Sequence, residues 1–210
     1  MTDPLPTPFD NNSAGRLLAA ALQQFNANGV NATSIHDICA AAKVSIGSAY
    51  HHFGSKQALA DALLVGGLDS NCQALEQRLA DVTGAQAGVR TVVLSLVDWI
   101  SAHPEWARFI YTASDANARA KAGAALKDIN RRYKALIERH FKPHLASGEI
   151  RQLPSECYHA LLIGPVHDYA RRQLAGAVKA PLKRHAALFA DSAWQAVAAQ
   201  PGAGSGTALF

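Results

Sequence analysis

The sequence predicts an all-α protein, with three short-to-medium helices at the N-terminus and a larger helical region after them. Three observations predict it. Apolar residues recur at spacings of three and four along most of the chain. Alanine is abundant and β-branched runs are few, which favours helix. Capping residues and Gly or Pro stops punctuate the pattern at helix-length intervals. No strand-like alternation and no internal repeat competes.

The first helix begins near Ser13, with Leu17, Leu18, Ala21, Leu22 and Phe25 on one face and Asn28-Gly29 as its stop. Thr33 and Ser34 can both cap the next, and Asp37 stands three residues after Ser34, as in a capping box. That helix is short, 35–42, with Ile38 and Ala41 inward. After Lys43-Val44, Ser45 caps a third helix, 46–53, which Gly54 ends. Ser55 then caps a long amphipathic helix from Lys56 to about Val82, roughly 40 Å at 1.5 Å per residue. A turn at 84–88 precedes a helix marked by Val89, Val92, Val93, Leu96, Val97 and Ile100, which stops at His103-Pro104. A short aromatic helix covers 105–111. Another runs 118–140, with Pro143 as its terminator. Segments 154–176 and 181–199 are the last two. The divisions expected are a flexible tail at 1–12, a three-helix domain at 13–57, a larger helical domain at 58–200 and a flexible tail at 201–210.

Composition narrows the function classes. Apolar residues are 49% and charged residues 17% of 210, an ordinary globular balance. No window of 18 apolar residues suggests a membrane span, and the N-terminus has neither the basic nor the apolar region of a secretory signal. The expectation is a cytoplasmic protein. Cys39, Cys72 and Cys157 are scattered and read as small buried residues. His140 and His144 have i,i+4 spacing, but Pro143 intervenes and no carboxylate or thiol motif accompanies them, so no metal or other cofactor is expected. Phosphate loops, nucleophile elbows and paired-carboxylate motifs are missing, so the chain does not read as an enzyme.

The formal charge of +4 is unevenly spread: +2 over residues 13–57, −4 over 58–118 and +9 over 119–185. The excess therefore lies away from the N-terminal three-helix segment. That segment is a pair of short helices joined by a tight turn and preceded by a third, the helix-turn-helix arrangement. The third helix has a suggestive chemistry. Gly47 and Ala49 permit close approach, while Ser48, Tyr50, His51 and His52 supply polar tips. Lys56, in the first turn of its helix, opposes the macrodipole, a cost that a bound phosphate would reverse.

The stretch Phe25-x3-Gly29-x3-Thr33-Ser34-Ile35-x-Asp37-Ile38-x5-Val44-Ser45-x-Gly47-x2-Tyr50-x-His52-Phe53-x-Ser55-Lys56-x2-Leu59 resembles the N-terminal domain of TetR-family regulators. The resemblance implies a helix-turn-helix domain, a larger helical effector-binding and dimerisation domain, and a homodimer on palindromic operator DNA. It implies a repressor released by a small ligand. Carried over residue by residue, Thr33 or Ser34, Tyr50, His52 and Lys56 would touch phosphate, with Arg16 and Lys43 as further candidates. His36, Ser45, Ile46, Ser48 and His51 would face base edges, Ile46 towards a thymine methyl, with Gly47 allowing the approach. The third helix contains no Arg, Lys, Asn or Gln, so base reading through it leans on apolar contact, water and DNA shape.

For the C-terminal region the expectation is an effector pocket lined by Trp99, His103, Trp106, Phe109, Tyr133, Ile137 and His167, for an aromatic or apolar ligand with an anionic group. His140 and His159 are further polar candidates. Arg131-Arg132-x-Lys134 and Arg171-Arg172 read as solvated faces, and either pair is a candidate partner for the charge of an anionic effector such as a carboxylate or an acyl-thioester. By the same resemblance the last two helices make the dimer interface, through Leu161, Gly164, Pro165, Leu188, Phe189 and Ala193, as a four-helix bundle. The alternative reading keeps the helix-turn-helix but gives the C-terminal domain a protein partner rather than a small ligand.

Overall fold

The computed structural model describes residue 9 and residues 12–112 and 123–199. The terminal tails, and the first residues of the helix expected from 118, lie outside the described residues. The helices are α1 (Ser13–Asn28), α2 (Ile35–Ala42), α3 (Ile46–Phe53), α4 (Lys56–Leu79), α5 (Ala85–Ala102), α6 (Pro104–Thr112), α7 (Gly123–Ala146), α8 (Ser155–Leu174) and α9 (Ala186–Val197), with a 3-10 turn at Leu182–His185 before α9. The fold is all-α: among the described residues the sole extended pairing is an isolated bridge, Ile150 with Ala198. No helix among them is long and apolar enough to cross a membrane.

Local chemistry sets most boundaries. Asn12 accepts the Gly15 N–H at 2.8 Å and starts α1. Gly29, at φ 80, ends it. Ser34 accepts the Asp37 N–H at 3.1 Å, and the Asp37 carboxylate accepts the Ser34 N–H at 3.3 Å, a complete capping box. Ser45 accepts the Ser48 N–H at 3.2 Å, and Ser55 accepts that of Ala58 at 3.0 Å. Pro104 occupies the first position of α6, where its missing N–H costs nothing.

Two elements depart from expectation. Pro143 does not end its helix: α7 continues to Ala146. So close to the C-terminus, proline removes one helical bond, and the Ser147 N–H closes the next turn on the Pro143 carbonyl at 2.9 Å. In α2 the inward residues are Ile38, Cys39 and Ala42, whereas Ala41 is exposed. Cys157 is half-buried rather than enclosed.

The chain forms two compact units, one from residues 1–74 with 102–132 and the other from residues 75–101 with 133–210. In the first, α1 packs on α2, α3 and α6. Leu17, Phe25, Ile38, Leu59 and Leu63 fill its core, and Phe25 stacks on Phe109 with ring centroids 5.9 Å apart. Trp106 lies against Gly66 and Gly67 of α4: a Cβ at Gly67 would stand 2.3 Å from its ring. In the second unit α8 packs on α9. Val89, Val92, Val93 and Val97 of α5, with Leu162, Val166 and Val197, are buried. Gly88 of α5 is where the His140 ring of α7 fits, since a Cβ there would stand 2.0 Å from Nε2.

Candidate nucleic-acid interface and effector region

The helix-turn-helix face follows from what α3 buries. Ala49 is its buried residue, and it anchors the helix inward. Ser45, Ile46, Gly47, Tyr50, His51 and His52 are exposed. Ile46 and Tyr50 are large apolar side chains at 37% and 50% exposure, more than core packing would leave. Gly47 has nothing within 4 Å of a built Cβ, so its smallness serves no contact within the chain. Phe53 is half-buried and belongs to the packing side. On α2, Ser34 and His36 are exposed as well. The Ser34 hydroxyl bonds the Asp37 carboxylate at 2.6 Å, which holds that carboxyl below its ordinary range.

Two of the expected phosphate ligands are occupied otherwise. Thr33 is 2% exposed, and its hydroxyl donates to the Gly29 carbonyl at 2.8 Å, with the Gln24 carbonyl at 3.3 Å. It ties the α1–α2 connection to the end of α1 and does not face outward. The Lys56 ammonium donates to the Thr33 carbonyl at 2.6 Å and to the Asn31 carbonyl at 3.2 Å. A lysine at a helix start finds neutral acceptors here, in carbonyls of the preceding loop.

With this geometry in view, the comparisons are specific. Residues 17–63 match the family described as bacterial regulatory proteins, tetR family. The N-terminal segment is thus similar to the DNA-binding domain of that family. The chain is 44% identical over 59 residues to the HTH-type transcriptional repressor KstR2 of Mycobacterium tuberculosis, covering 28% of this chain and 30% of that protein. With KstR2 of Rhodococcus jostii it shares 34% over 102 residues, covering 46% and 50%. The chain thus spans a third to a half of the length of these curated relatives. Solved TetR-family structures share the fold over nearly the whole length. One from Marinobacter aquaeolei has a TM-score of 0.72 at 21% identity, over 90% of this chain and 96% of that one. FadR of Bacillus subtilis, solved with stearoyl-CoA, has a TM-score of 0.72 at 17% identity, over 85% and 96%.

The residues expected around an effector are divided between the two units. Trp106 and Phe109 are core side chains of the first unit, on Gly67 and Phe25, and His103 lies in that unit too. Burial lowers the His103 pKa. Trp99, Tyr133, Ile137 and His167 fall in the second unit. There, burial pushes the His167 imidazole down to about 4, helped by His159, stacked 6.2 Å away, and by Arg171. His140 is lowered by burial and then by His144, against a hydrogen bond to the Gly84 carbonyl. His144 itself meets Glu149 at 2.8 Å. Ser95 went unpredicted. It is 2% exposed in the middle of α5, and its hydroxyl has no hydrogen-bond partner among the described residues. The readable signal was a polar residue set between Val92-Val93-Leu94 and Leu96-Val97.

On α8 and α9, Leu161 and Leu188 are 37% and 62% exposed, Pro165 is exposed, and Gly164 and Phe189 are half-buried. Ala193 is different: at 2% exposure it packs inside its own unit, on the inward side of α9.

Proposed function

We propose that the chain is a sequence-specific transcriptional repressor that binds palindromic operator DNA as a homodimer and is released by a small ligand. The observation that carries this reading is the exposed face of α3. Ile46, Tyr50, His51 and His52 stand clear of the core, and Gly47 leaves room for a close surface, all within a segment matched to the TetR DNA-binding domain. In the major groove Ser45, Ile46, Ser48 and His51, with His36, read base edges, while Ser34, Tyr50 and His52 contact phosphate. The interface takes Leu161, Gly164, Pro165, Leu188 and Phe189 from each subunit. Exposed leucines on two adjacent helices are a reason for that choice, since water is a poor neighbour for both.

The ligand belongs to the second unit, with Trp99, Tyr133, Ile137 and His167 as its apolar and neutral lining. The buried Ser95 hydroxyl is available for one polar group of the ligand. An acyl chain ending in an anionic head group, a carboxylate or the phosphates that carry an acyl-thioester, fits this chemistry, with Arg171 and Arg172 nearby in sequence. The FadR structure, which shares the fold, holds stearoyl-CoA. The long helix α4 begins next to α3 and carries the signal. Its displacement takes the two recognition helices off half-sites spaced about 34–36 Å, or a multiple.

Selection of random duplex DNA by the purified protein tests the reading. Enrichment of a palindrome supports it and yields the operator. A pool that stays random at low salt, without ligand, argues that α3 no longer reads DNA. Release requires that the ligand bind the DNA-free protein more tightly. Equal affinity with and without operator would remove that part.

A further inference from the structure

Positive charge gathers where α8 turns into α9. Arg171, Arg172, Lys179, Lys183 and Arg184 follow one another there, and no Asp or Glu stands between Asp168 and Asp191. All five cations are exposed. The stretch that carries them is tightly held. The Ala177 and Val178 N–H groups close on the Arg172 carbonyl at 2.9 and 3.3 Å, and Gly176, at φ 79, makes the turn. The Tyr169 hydroxyl donates to the Ala180 carbonyl at 3.0 Å, and the Gln173 side-chain oxygen accepts the Leu182 N–H at 2.7 Å. Leu182 is buried. These bonds fold residues 180–182 back onto the last turns of α8. The two arginines and the three later cations therefore share one corner of the second unit.

The acids at this corner do not balance it. Asp168 stands 3.9 Å from Arg172. Asp98 is shared, with Arg78 at 2.8 Å and Lys183 at 3.4 Å. Asp191 is taken by Arg90. Among the described residues Lys179 and Arg184 have no ion pair. Arg171 and Arg172, in the last turn of α8, do gain from its dipole. Lys183 and Arg184 instead precede α9, where the dipole disfavours a cation. Like charges held together on a stiff connection repel, and nothing in the chain offsets that.

A ligand with several negative charges would offset it. A carboxylate brings one charge. Phosphates in series bring several, and they suit a guanidinium fork and an ammonium group alike. We propose that this corner binds the linked phosphates of a small molecule, a pyrophosphate or nucleotide group, with Lys179, Lys183 and Arg184 as its principal ligands. In the acyl-thioester reading above, on which this last step rests, the corner holds the phosphates of the head group while the acyl chain takes the apolar lining.

The test is isothermal titration calorimetry of the full chain with inorganic pyrophosphate, coenzyme A, pantetheine and stearoyl-CoA. Wild type is compared with the double variant Lys179→Gln/Arg184→Gln. The control is Arg139→Gln/Lys142→Gln, which removes the same charge from exposed positions of α7. Thermal melts establish that each variant folds. Pyrophosphate and coenzyme A bind wild type, less tightly as salt rises, and pantetheine, which lacks the phosphates, does not. The corner variant loses up to about fivefold in affinity for each cation removed, about 25-fold in all, and the control keeps the wild-type affinity. Equal losses in both variants would reduce the effect to net charge and overturn the site. Undiminished binding in the corner variant would also overturn it, as would a wild type that binds neither pyrophosphate nor coenzyme A. Stearoyl-CoA bound equally by wild type and corner variant would remove the site and leave the effector reading in place. Phosphates bound at the corner with no gain from the acyl chain would sustain the site and remove the acyl-thioester reading.

Discussion

Gly67→Ala in α4 sets two opposing effects against each other, and the structure decides the winner. Alanine in a helix interior gains about 1 kcal/mol over glycine. At Gly67, however, the new methyl would lie 2.3 and 2.8 Å from two ring carbons of Trp106 and 2.9 Å from the Ile110 methyl. Carbon atoms pack at about 3.5–4.0 Å, so the ring would have to retreat by more than an ångström. It has little room: Trp106 is 7% exposed and its face meets Phe9 at 5.4 Å. Overpacking costs about 1–3 kcal/mol, and three atoms this close to the new methyl put it in the upper part of that range, about 2–3 kcal/mol, which leaves a net loss near 1–2 kcal/mol. For a chain of this length that is a fall of roughly 2–8 °C in Tm, measured by the helical circular-dichroism signal. Gly47→Ala in the same unit is the control, because nothing lies within 4 Å of its built Cβ. It should melt at or above wild type. If Gly67→Ala also melted at or above wild type, the seating of Trp106 on α4 would be wrong.

Gly47→Ala carries a second expectation: the stability gain comes with weaker operator binding, since the methyl intrudes where α3 approaches DNA, and a gel-shift titration reads it. Ser34→Ala removes the cap of α2 and should cost about 1 kcal/mol in chemical unfolding, more than a neutral surface change. Acid should destabilise the protein well before its carboxylates protonate. His167 titrates at about 4 in the folded chain against an ordinary 6.5, so the unfolded chain binds the extra proton first. Its contribution is whole above pH 6.5 and drains away as pH falls from 6.5 towards 4, at most about 3 kcal/mol. His140 and His159 shift in the same direction. Unfolding free energies that stay flat over that window would contradict the buried neutral imidazole, and His167→Gln should flatten the dependence.

Much of the fold was legible in the residues themselves. The caps at Ser34, Ser45 and Ser55 and the stop at Gly29 each depend on a bond that closes within three or four positions, so spacing alone reveals them. The helix-turn-helix was readable for the same reason: its helices are short, adjacent and locally capped. What spacing could not reveal is which partner a side chain chooses across the chain. Thr33 and Ser34 look interchangeable in sequence, yet one hydroxyl is buried on α1 and the other caps α2. Lys56 found carbonyls more than 20 positions away. Trp106 and Phe109 are aromatic residues of one helix in sequence, and only the structure shows that they pack on Gly67 and Phe25. The sequence by itself determined the helices, most of their ends and the helix-turn-helix arrangement, because hydrogen bonds along one backbone are short-range. Only the tertiary structure decided which polar groups face outward, because burial is set by elements far apart in the chain.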